Sequence, residues 1–226
     1  MEQSGKKYEF TVETIEVSGR TLHRIKAIRD FGYVKAGALG GFIEKEENLS
    51  HEGNCWVYND AKVYGDAEVC GDAKVHGNAW VYGNANVCDN ANVCDNVNVC
   101  GDAKVYGNAE VYGNANVCGD AEVYGDAEVY GNAKVYGNAN VCGDANVYGN
   151  AEISMCSDFI VFKNWWSSGR YFTWTRSNNM WKVGCFYGTG EELIQKAYKD
   201  SEISGHEYER VVRYVESILA DEKKRE

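Results

Sequence analysis

The sequence predicts a mainly β protein whose central part is a parallel β-helix of six-residue repeats. An aliphatic residue recurs every six positions from Val57 to Ile153, a small residue, usually Ala, precedes it by two positions, and a Gly-Asn or Gly-Asp pair usually begins two positions after it. A repeat of this period is typical of a β-helix. We therefore divide the chain into an N-terminal β-hairpin and cap (1–52), the β-helix (53–154) and a small C-terminal α+β domain (155–226) of three strands and two helices.

The spacing within each repeat explains why it forms one side of a coil. Side chains alternate between the two faces of a strand, so the small and aliphatic residues point to one side and their neighbours to the other. Gly, Asn and Asp tolerate a positive φ, so the pair makes a sharp corner. Three steps then close a triangular coil of eighteen residues whose interior is filled by Val and Ala.

The N-terminal segment reads as a hairpin followed by a connection to the first coil. Residues 7–29 alternate apolar and polar side chains around Ser18 and Gly19, which predicts two antiparallel strands. We expect the residues that follow to cover the open end of the β-helix, because exposed strand edges promote aggregation.

Beyond Ile153 the repeat stops and aromatic residues become frequent. Thr189 and Glu192 form a capping box, which predicts the start of a helix, and a broad apolar face predicts a second helix after it. The predicted elements are three antiparallel strands near 158–164, 170–176 and 180–187 and two helices over about 189–199 and 205–222.

Most of the negative charge lies in the repeats. The net charge of the chain is −11, and residues 53–152 carry 4 Lys, 9 Asp and 5 Glu, a net charge of −10. Phosphate binding needs Lys and Arg, so the β-helix is a poor direct ligand for nucleic acid. No stretch approaches the ~18 apolar residues of a membrane span, and the polar N-terminus has no signal-peptide core. We therefore expect a cytoplasmic protein without membrane association.

The cysteines follow the repeat. Six of the nine occupy the position that Tyr usually holds, and there is no C-x₂-C spacing of the kind found in zinc sites. We expect free thiols and no metal. These six are Cys70, Cys88, Cys94, Cys100, Cys118 and Cys142.

Over residues 53–154 the chain resembles the hexapeptide-repeat family, whose pattern is an aliphatic residue every six positions with a small residue two before it. The resemblance implies a left-handed β-helix and assembly, often as a trimer. Many members are acyltransferases that use a His as general base beside a loop extruded from the helix. Here no loop interrupts the repeats and His76 is their only His. A base needs a partner and a pocket, so we interpret His76 as a substitute for Tyr on a flat face and expect no enzymatic activity.

Aromatic and acidic columns are the candidate binding surface. Stepping by eighteen residues stacks Tyr rings beside Glu side chains on one face, and a contiguous aromatic patch usually marks an interaction site. Asp residues concentrate at two corners, and aromatic residues near an Arg in the C-terminal domain would stack on a base or nucleotide. The candidates are Glu110, Tyr112, Glu128, Tyr130 and Tyr148 on the face, Asp102 and Asp120 at one corner, Asp126 and Asp144 at the other, and Trp165, Trp166 and Arg170.

A second candidate for catalysis is Cys185 with His206, as a thiol nucleophile and its base. The context KVGCF is typical of a strand interior, and no acidic partner stands out. We assign neither of them a catalytic role.

Two segments, GGFIEKEENLSHEGNCWVYNDAKVYGDA and SSGRYFTWTRSNNMWKVGCFYGTGEELI, resemble phage and prophage proteins of poorly defined function. The resemblance implies a viral origin and a place in the host cytoplasm. The main hypothesis is a non-enzymatic recognition protein without a cofactor. It would bind a host protein, such as a nucleic-acid-binding enzyme, as a counter-defence inhibitor or nucleic-acid mimic, and self-associate as a dimer or trimer. The alternatives are a hexapeptide-repeat acyltransferase and a virion or structural spacer.

Overall fold

The computed structural model describes residues 5–166 and 168–225, and this part of the chain forms two compact units divided between Cys156 and Ser157. The first unit contains an N-terminal hairpin and the β-helix. The second contains an antiparallel sheet and two helices. This architecture confirms the predicted fold class, a mainly β protein with a parallel β-helix of about six coils.

The first unit begins with three longer strands, β1 (Tyr8–Val17), β2 (Arg20–Ala27) and β3 (Leu39–Ile43). The β1–β2 hairpin turns at Ser18 and Gly19, whose φ angles of 51° and 76° are those of a two-residue turn that matches the twist of the strands. β3 pairs antiparallel with β2 and parallel with a strand of the first coil. The hairpin therefore extends one face of the β-helix.

The β-helix consists of seventeen two-residue strands, one in each repeat. Strands β4 to β20 are, in chain order, Trp56–Val57, Lys62–Val63, Glu68–Val69, Lys74–Val75, Trp80–Val81, Asn86–Val87, Asn92–Val93, Asn98–Val99, Lys104–Val105, Glu110–Val111, Asn116–Val117, Glu122–Val123, Glu128–Val129, Lys134–Val135, Asn140–Val141, Asn146–Val147 and Glu152–Ile153. Each strand from β4 to β17 pairs in parallel with the strand eighteen residues later, as Asn98 does with Asn116. A short 3₁₀ turn at Glu46–Asn48 precedes the first coil and another lies at Cys156–Asp158.

Three sheets form the sides of the coil. We call the sheet of β4, β7, β10, β13, β16 and β19 the aromatic face, the nine-stranded sheet that runs from β1 through β5 to β20 the extended face, and the sheet of β6, β9, β12, β15 and β18 the third face. The aliphatic residue of every repeat is buried in the interior together with the small residue two positions before it. The prediction that the valines point inward is confirmed.

Two buried polar side chains satisfy backbone carbonyls at the first coil. The Asn48 Nδ2 donates to the Ala67 carbonyl at 2.7 Å, and the Lys7 Nζ donates to the Cys55 carbonyl at 2.9 Å. Burial lowers the pKa of Lys7. Carbonyls at the end of a parallel sheet lack strand partners, so these side chains take the place of a preceding coil.

The second unit contains a four-stranded antiparallel sheet, β21 (Phe159–Lys163), β22 (Tyr171–Thr175), β23 (Met180–Val183) and β24 (Phe186–Gly188). The prediction of a single third strand over 180–187 is wrong, because the chain turns at Gly184 and Cys185 and divides it in two. Gly184 has a φ of 54°, a left-handed conformation that ends β23. Cys185 is consequently exposed in a turn and not inside a strand.

Two helices pack with this sheet, α1 (Gly190–Asp200) and α2 (Glu202–Glu222). The predicted capping box is present, since the Glu192 N–H donates to the Thr189 Oγ1 at 3.3 Å and the Thr189 N–H donates to Glu192 at 2.8 Å. α2 begins before the predicted residue 205 because Ser201 caps it, accepting from the Ser204 N–H at 3.1 Å. Within the described ranges, the helices are too short or too polar to cross a membrane.

Candidate functional site

The structure contains the predicted column of Tyr side chains on the aromatic face. Tyr112, Tyr130 and Tyr148 stack with centroid separations of 4.6 and 4.4 Å, and Glu110 pairs directly with Glu128 across β13 and β16. The Tyr112 hydroxyl donates to Glu128 at 3.2 Å. Burial, followed by the Glu128 charge, raises the pKa of Tyr112. The structure brings these five residues together, and their role in binding stays a prediction.

The four predicted Asp residues lie at two different corners. Asp102 and Asp120 lie between the extended face and the third face, whereas Asp126 and Asp144 lie between the third face and the aromatic face. Asp102 accepts a hydrogen bond from the Asn84 Nδ2 at 2.7 Å in the preceding coil. Only the second pair borders the aromatic column, so the acidic candidates do not form one surface.

The predicted stacking residues of the second unit have different environments. Trp165 is 82% exposed, but Trp166 packs against Phe172 and Tyr208, with ring centroids 5.9 and 6.0 Å away. Arg170 is exposed and lines a cavity of about 170 Å³. Of the two indole rings, only that of Trp165 is open to a ligand.

Cys185 and His206 are not assembled into a nucleophile and base. Cys185 lines the same 170 Å³ cavity as Arg170, and His206 is absent from the lining. The His206 Nδ1 instead lies 3.0 Å from the Tyr198 hydroxyl. This geometry agrees with the assignment of neither residue to catalysis.

His76 has a partner that the sequence did not reveal. It directly follows β7, between Tyr58 in the preceding coil and Asn92 in the next. The His76 Nε2 lies 2.8 Å from the Asn92 Oδ1, and its ring meets that of Tyr58 edge to face at 6.2 Å between centroids. An amide oxygen accepts, so this contact uses a proton on Nε2, and in the neutral tautomer that matches it Nδ1 keeps its lone pair.

A loop from the N-terminal segment forms a wall beside this part of the aromatic face. Residues 28–38 connect β2 to β3, and Phe31 in this loop packs edge to face on Trp56 at 5.3 Å. Gly32 allows the close approach, because a Cβ there would lie 3.1 Å from the Asn54 side chain. The next residue, Tyr33, is 91% exposed.

Two adjoining depressions lie on this part of the aromatic face, and one of them reaches the loop. One of about 260 Å³ is lined by Tyr58, Asn59, Lys74 and His76. The other, of about 180 Å³, shares Tyr58 and Lys74 and is lined further by Gly32, Tyr33, Asn54, Asp72 and Asn90. We call the two together the His76 groove. The loop, which comes from outside the repeats, walls the second depression, whereas the one that His76 lines is shallow and open.

The charges in the groove are mixed. The Lys74 Nζ lies 5.5 Å from the centroid of the Tyr33 ring, and the Asp72 carboxylate accepts from the Asn54 backbone N–H at 2.9 Å and from its Nδ2 at 3.0 Å. Asp72 is thus occupied by the protein, while the Lys74 ammonium faces an aromatic ring. The described residues contain no cluster of three or more His, Cys, Asp or Glu side chains suited to a metal ion.

No family model matches the chain. A segment of 38 residues, 17% of the chain, is 53% identical to the uncharacterized acetyltransferase YdcK of Escherichia coli strain K12. The match covers 12% of that protein, so the chain corresponds to a small part of the relative's length.

This similarity overturns the prediction that the chain is not an enzyme. It favours the acyltransferase, which was only an alternative to the recognition protein. Neither a phage origin nor binding to a host protein gains support from it, and a spacer role gains none. Over the matched segment, the chain is similar to an acetyltransferase.

Proposed function

We propose that the chain is an acyltransferase of the hexapeptide-repeat type, which moves an acyl group from a thioester donor to a hydroxyl or amine acceptor in the His76 groove. The similarity to an acetyltransferase over 38 residues supports the reaction class. The observation that carries the proposal is the 2.8 Å contact between His76 and Asn92 beside an open groove, because it gives a base both an orienting partner and space for a substrate.

His76 is the general base in this proposal. Its Nε2–H donates to the Asn92 Oδ1, so the Nδ1 lone pair accepts the proton of the acceptor hydroxyl or amine. The acceptor atom attacks the thioester carbonyl carbon, the carbon–sulfur bond breaks, and the imidazolium returns the proton to the departing thiolate. Asn92 is a positioning residue, since it acts through His76.

The other groove residues suit a charged thioester donor. Lys74 is exposed next to His76, where its ammonium would stabilise negative charge on the reacting carbonyl oxygen or on phosphates of the donor. Tyr33 and Tyr58 supply aromatic surfaces on either side of Lys74 for the apolar parts of the substrates.

The test is acyl transfer from acetyl-coenzyme A to a panel of small alcohols and amines, with mass spectrometry of the acceptors as readout. The variant His76→Tyr places the usual repeat residue in the column, so we expect it to fold and to lose transfer by about 10²–10⁴-fold, the usual contribution of a general base. The matched control His206→Gln removes an exposed His in the other unit and should retain the full rate.

Two results would contradict the proposal. One is a His76→Tyr variant that transfers acyl groups as fast as the unmodified protein. The other is a folded protein that transfers no acyl group to any acceptor in the panel and shows no thermal shift with the donor.

A further inference from the structure

Two cysteines lie directly above one another on the extended face. Strands β11 and β14 pair in register, and Cys100 and Cys118 directly follow them. The Cys100 N–H donates to the Val117 carbonyl at 2.9 Å, which fixes this alignment. Neighbouring strands lie roughly 4.8 Å apart, within the range of roughly 4.4–6.8 Å between Cα atoms that a disulfide spans. Both thiols are free and half-buried.

Two hydrogen-bond donors contact the sulfur of Cys100. The Cys118 thiol and the Tyr82 hydroxyl both donate to it, and together they lower the pKa of Cys100 below the usual value for a thiol, against the opposing effect of burial. The same contacts raise the pKa of Cys118 and of Tyr82. Of the two neighbouring sulfurs, Cys100 is the one whose thiolate form these contacts favour.

We propose that Cys100 and Cys118 form a redox-active dithiol that closes reversibly into a disulfide between consecutive coils, with Cys100 as the attacking sulfur. The oxidant is a low-molecular-weight disulfide of the glutathione type. This site is separate from the His76 groove, and the proposal stands whether or not the chain transfers acyl groups.

Closure takes two exchange steps. The Cys100 thiolate attacks one sulfur of the small disulfide, forms a mixed disulfide and releases one small thiolate, which takes up a proton. Cys118 then loses its proton and attacks the Cys100 sulfur, which releases the second small thiol. Two protein thiols are oxidised and one small disulfide is reduced to two thiols, so atoms and electrons balance.

The bond should be easy to reduce again. Side chains in register on parallel strands project in the same direction, so their Cβ atoms start close to the strand spacing of roughly 4.8 Å. Disulfides usually hold Cβ atoms roughly 3.5–4.5 Å apart. Closure must therefore draw the two coils slightly together locally, and disulfides under strain are the reducible ones.

The chain contains a matched pair that lacks the tyrosine contact. Cys70 and Cys88 stand in the same register on the third face, where β6 pairs with β9. Burial raises the pKa of both thiols, and the Cys70 thiol opposes this effect at Cys88 by donating to its sulfur. These two have the same spacing but no stabilised thiolate, so they separate the effect of the Tyr82 contact from that of geometry.

The experiment uses the full chain, reduced, freed of reductant and incubated with oxidised glutathione. Remaining thiols are capped with iodoacetamide, and each Cys is quantified by peptide mass spectrometry. We expect Cys100 and Cys118 to lose capping together, at least about tenfold faster than Cys70 and Cys88 because thiolate is the attacking species. Dithiothreitol should restore the capping of both.

Three variants assign the roles. Cys118→Ser should trap Cys100 as a mixed disulfide with glutathione, because no second thiol can displace it. Tyr82→Phe should slow the loss of Cys100 capping, since it removes one donor. Cys88→Ser should leave closure of the Cys100–Cys118 pair unchanged.

The proposal is wrong if Cys70 and Cys88 form a disulfide as fast as Cys100 and Cys118 do. It is also wrong if Cys100 still reacts fully with iodoacetamide after incubation with oxidised glutathione. It is equally wrong if Cys118→Ser accumulates no mixed disulfide on Cys100. A variant that fails to fold does not affect the decision, because the mapping of the unmodified chain already compares the two pairs.

Discussion

At the scale of single residues, one position of the aromatic column differs from its neighbours. The aromatic face carries Tyr or Cys at most repeats, and His76 stands between Tyr58 and Cys94. Its imidazole is oriented by Asn92, which occupies the ordinary outward position of the next coil. In a column of similar side chains, a single substitution by His is therefore enough to place an imidazole beside an amide. A substrate can reach it only where there is open space next to the ring.

Asn92 offers a residue-scale prediction. Asn92→Leu removes the acceptor at the His76 Nε2 and frees the ring to rotate, so we expect kcat to fall about tenfold, about 1.4 kcal/mol in the barrier, while the donor KM changes little. Steady-state transfer kinetics measure both values.

The control is Asn146→Leu, at the same repeat position of the aromatic face, near its other end. It should leave kcat unchanged. Equal losses in both variants would show that the effect is structural and that Asn92 does not position His76.

At the scale of elements, the corners of successive coils lie in direct contact. Gly125 and Gly143 occupy one corner in successive coils, with φ angles of 75° and 65°. A Cβ at Gly125 would lie 2.9 Å from the backbone N of Gly143, whereas a Cβ at Gly143 would meet nothing within 4 Å. Gly125 is therefore required both for its left-handed backbone and for the close approach of the next coil. Gly143 is required only for its left-handed backbone.

These corners give an element-scale prediction. Gly143→Ala should cost about 1–2 kcal/mol of unfolding free energy, the cost of a left-handed conformation for a residue with a Cβ. Gly125→Ala should cost clearly more, because its Cβ also meets the next coil. Urea unfolding of the two variants measures the difference, and equal losses would rule out a contribution from close approach.

The sequence predicts the β-helix well because its determinants are local. Inward valines, left-handed corners and in-register columns all follow from a six-residue period, and the helix cap at Thr189 follows from four adjacent residues. The division of β23 from β24 at Gly184 was missed because a Gly within an apolar run is compatible with a strand or a turn.

The groove escaped prediction for a different reason. His76 and Asn92 become neighbours only through the eighteen-residue step, and outward columns can be read from the sequence by that step. The wall at Tyr33 depends on the packing of Phe31 on Trp56, a contact between distant residues that no pattern in the segment announces. The groove therefore could not be predicted without the structure, because it depends on both a column position and a long-range contact.

At the scale of the whole molecule, charge and flat surfaces govern encounters. The repeats carry a net charge of −10, which repels anionic donors from most of the β-helix. On the proposed function, Lys74 is the groove cation that a phosphate-bearing thioester would approach. The stacked Tyr112, Tyr130 and Tyr148 provide an aromatic surface on the same face.

Self-association remains a prediction at this scale. A contiguous aromatic patch usually meets another surface, so we expect a dimer or trimer in solution and a loss of assembly in Tyr130→Lys, which places a charge in the column. Light scattering at several concentrations measures the mass. A monomer at every concentration would contradict the prediction, as would an unchanged oligomer in the variant that retains its fold.

The most direct measurement of the central claim, that the His76 groove is the site of acyl transfer, is a crystal structure with a stable thioether analogue of acetyl-coenzyme A. We expect the acetyl group in the groove beside the His76 imidazole and the phosphates towards Lys74, between the Tyr33 and Tyr58 rings. An analogue bound elsewhere on the chain, with the groove empty, would contradict it.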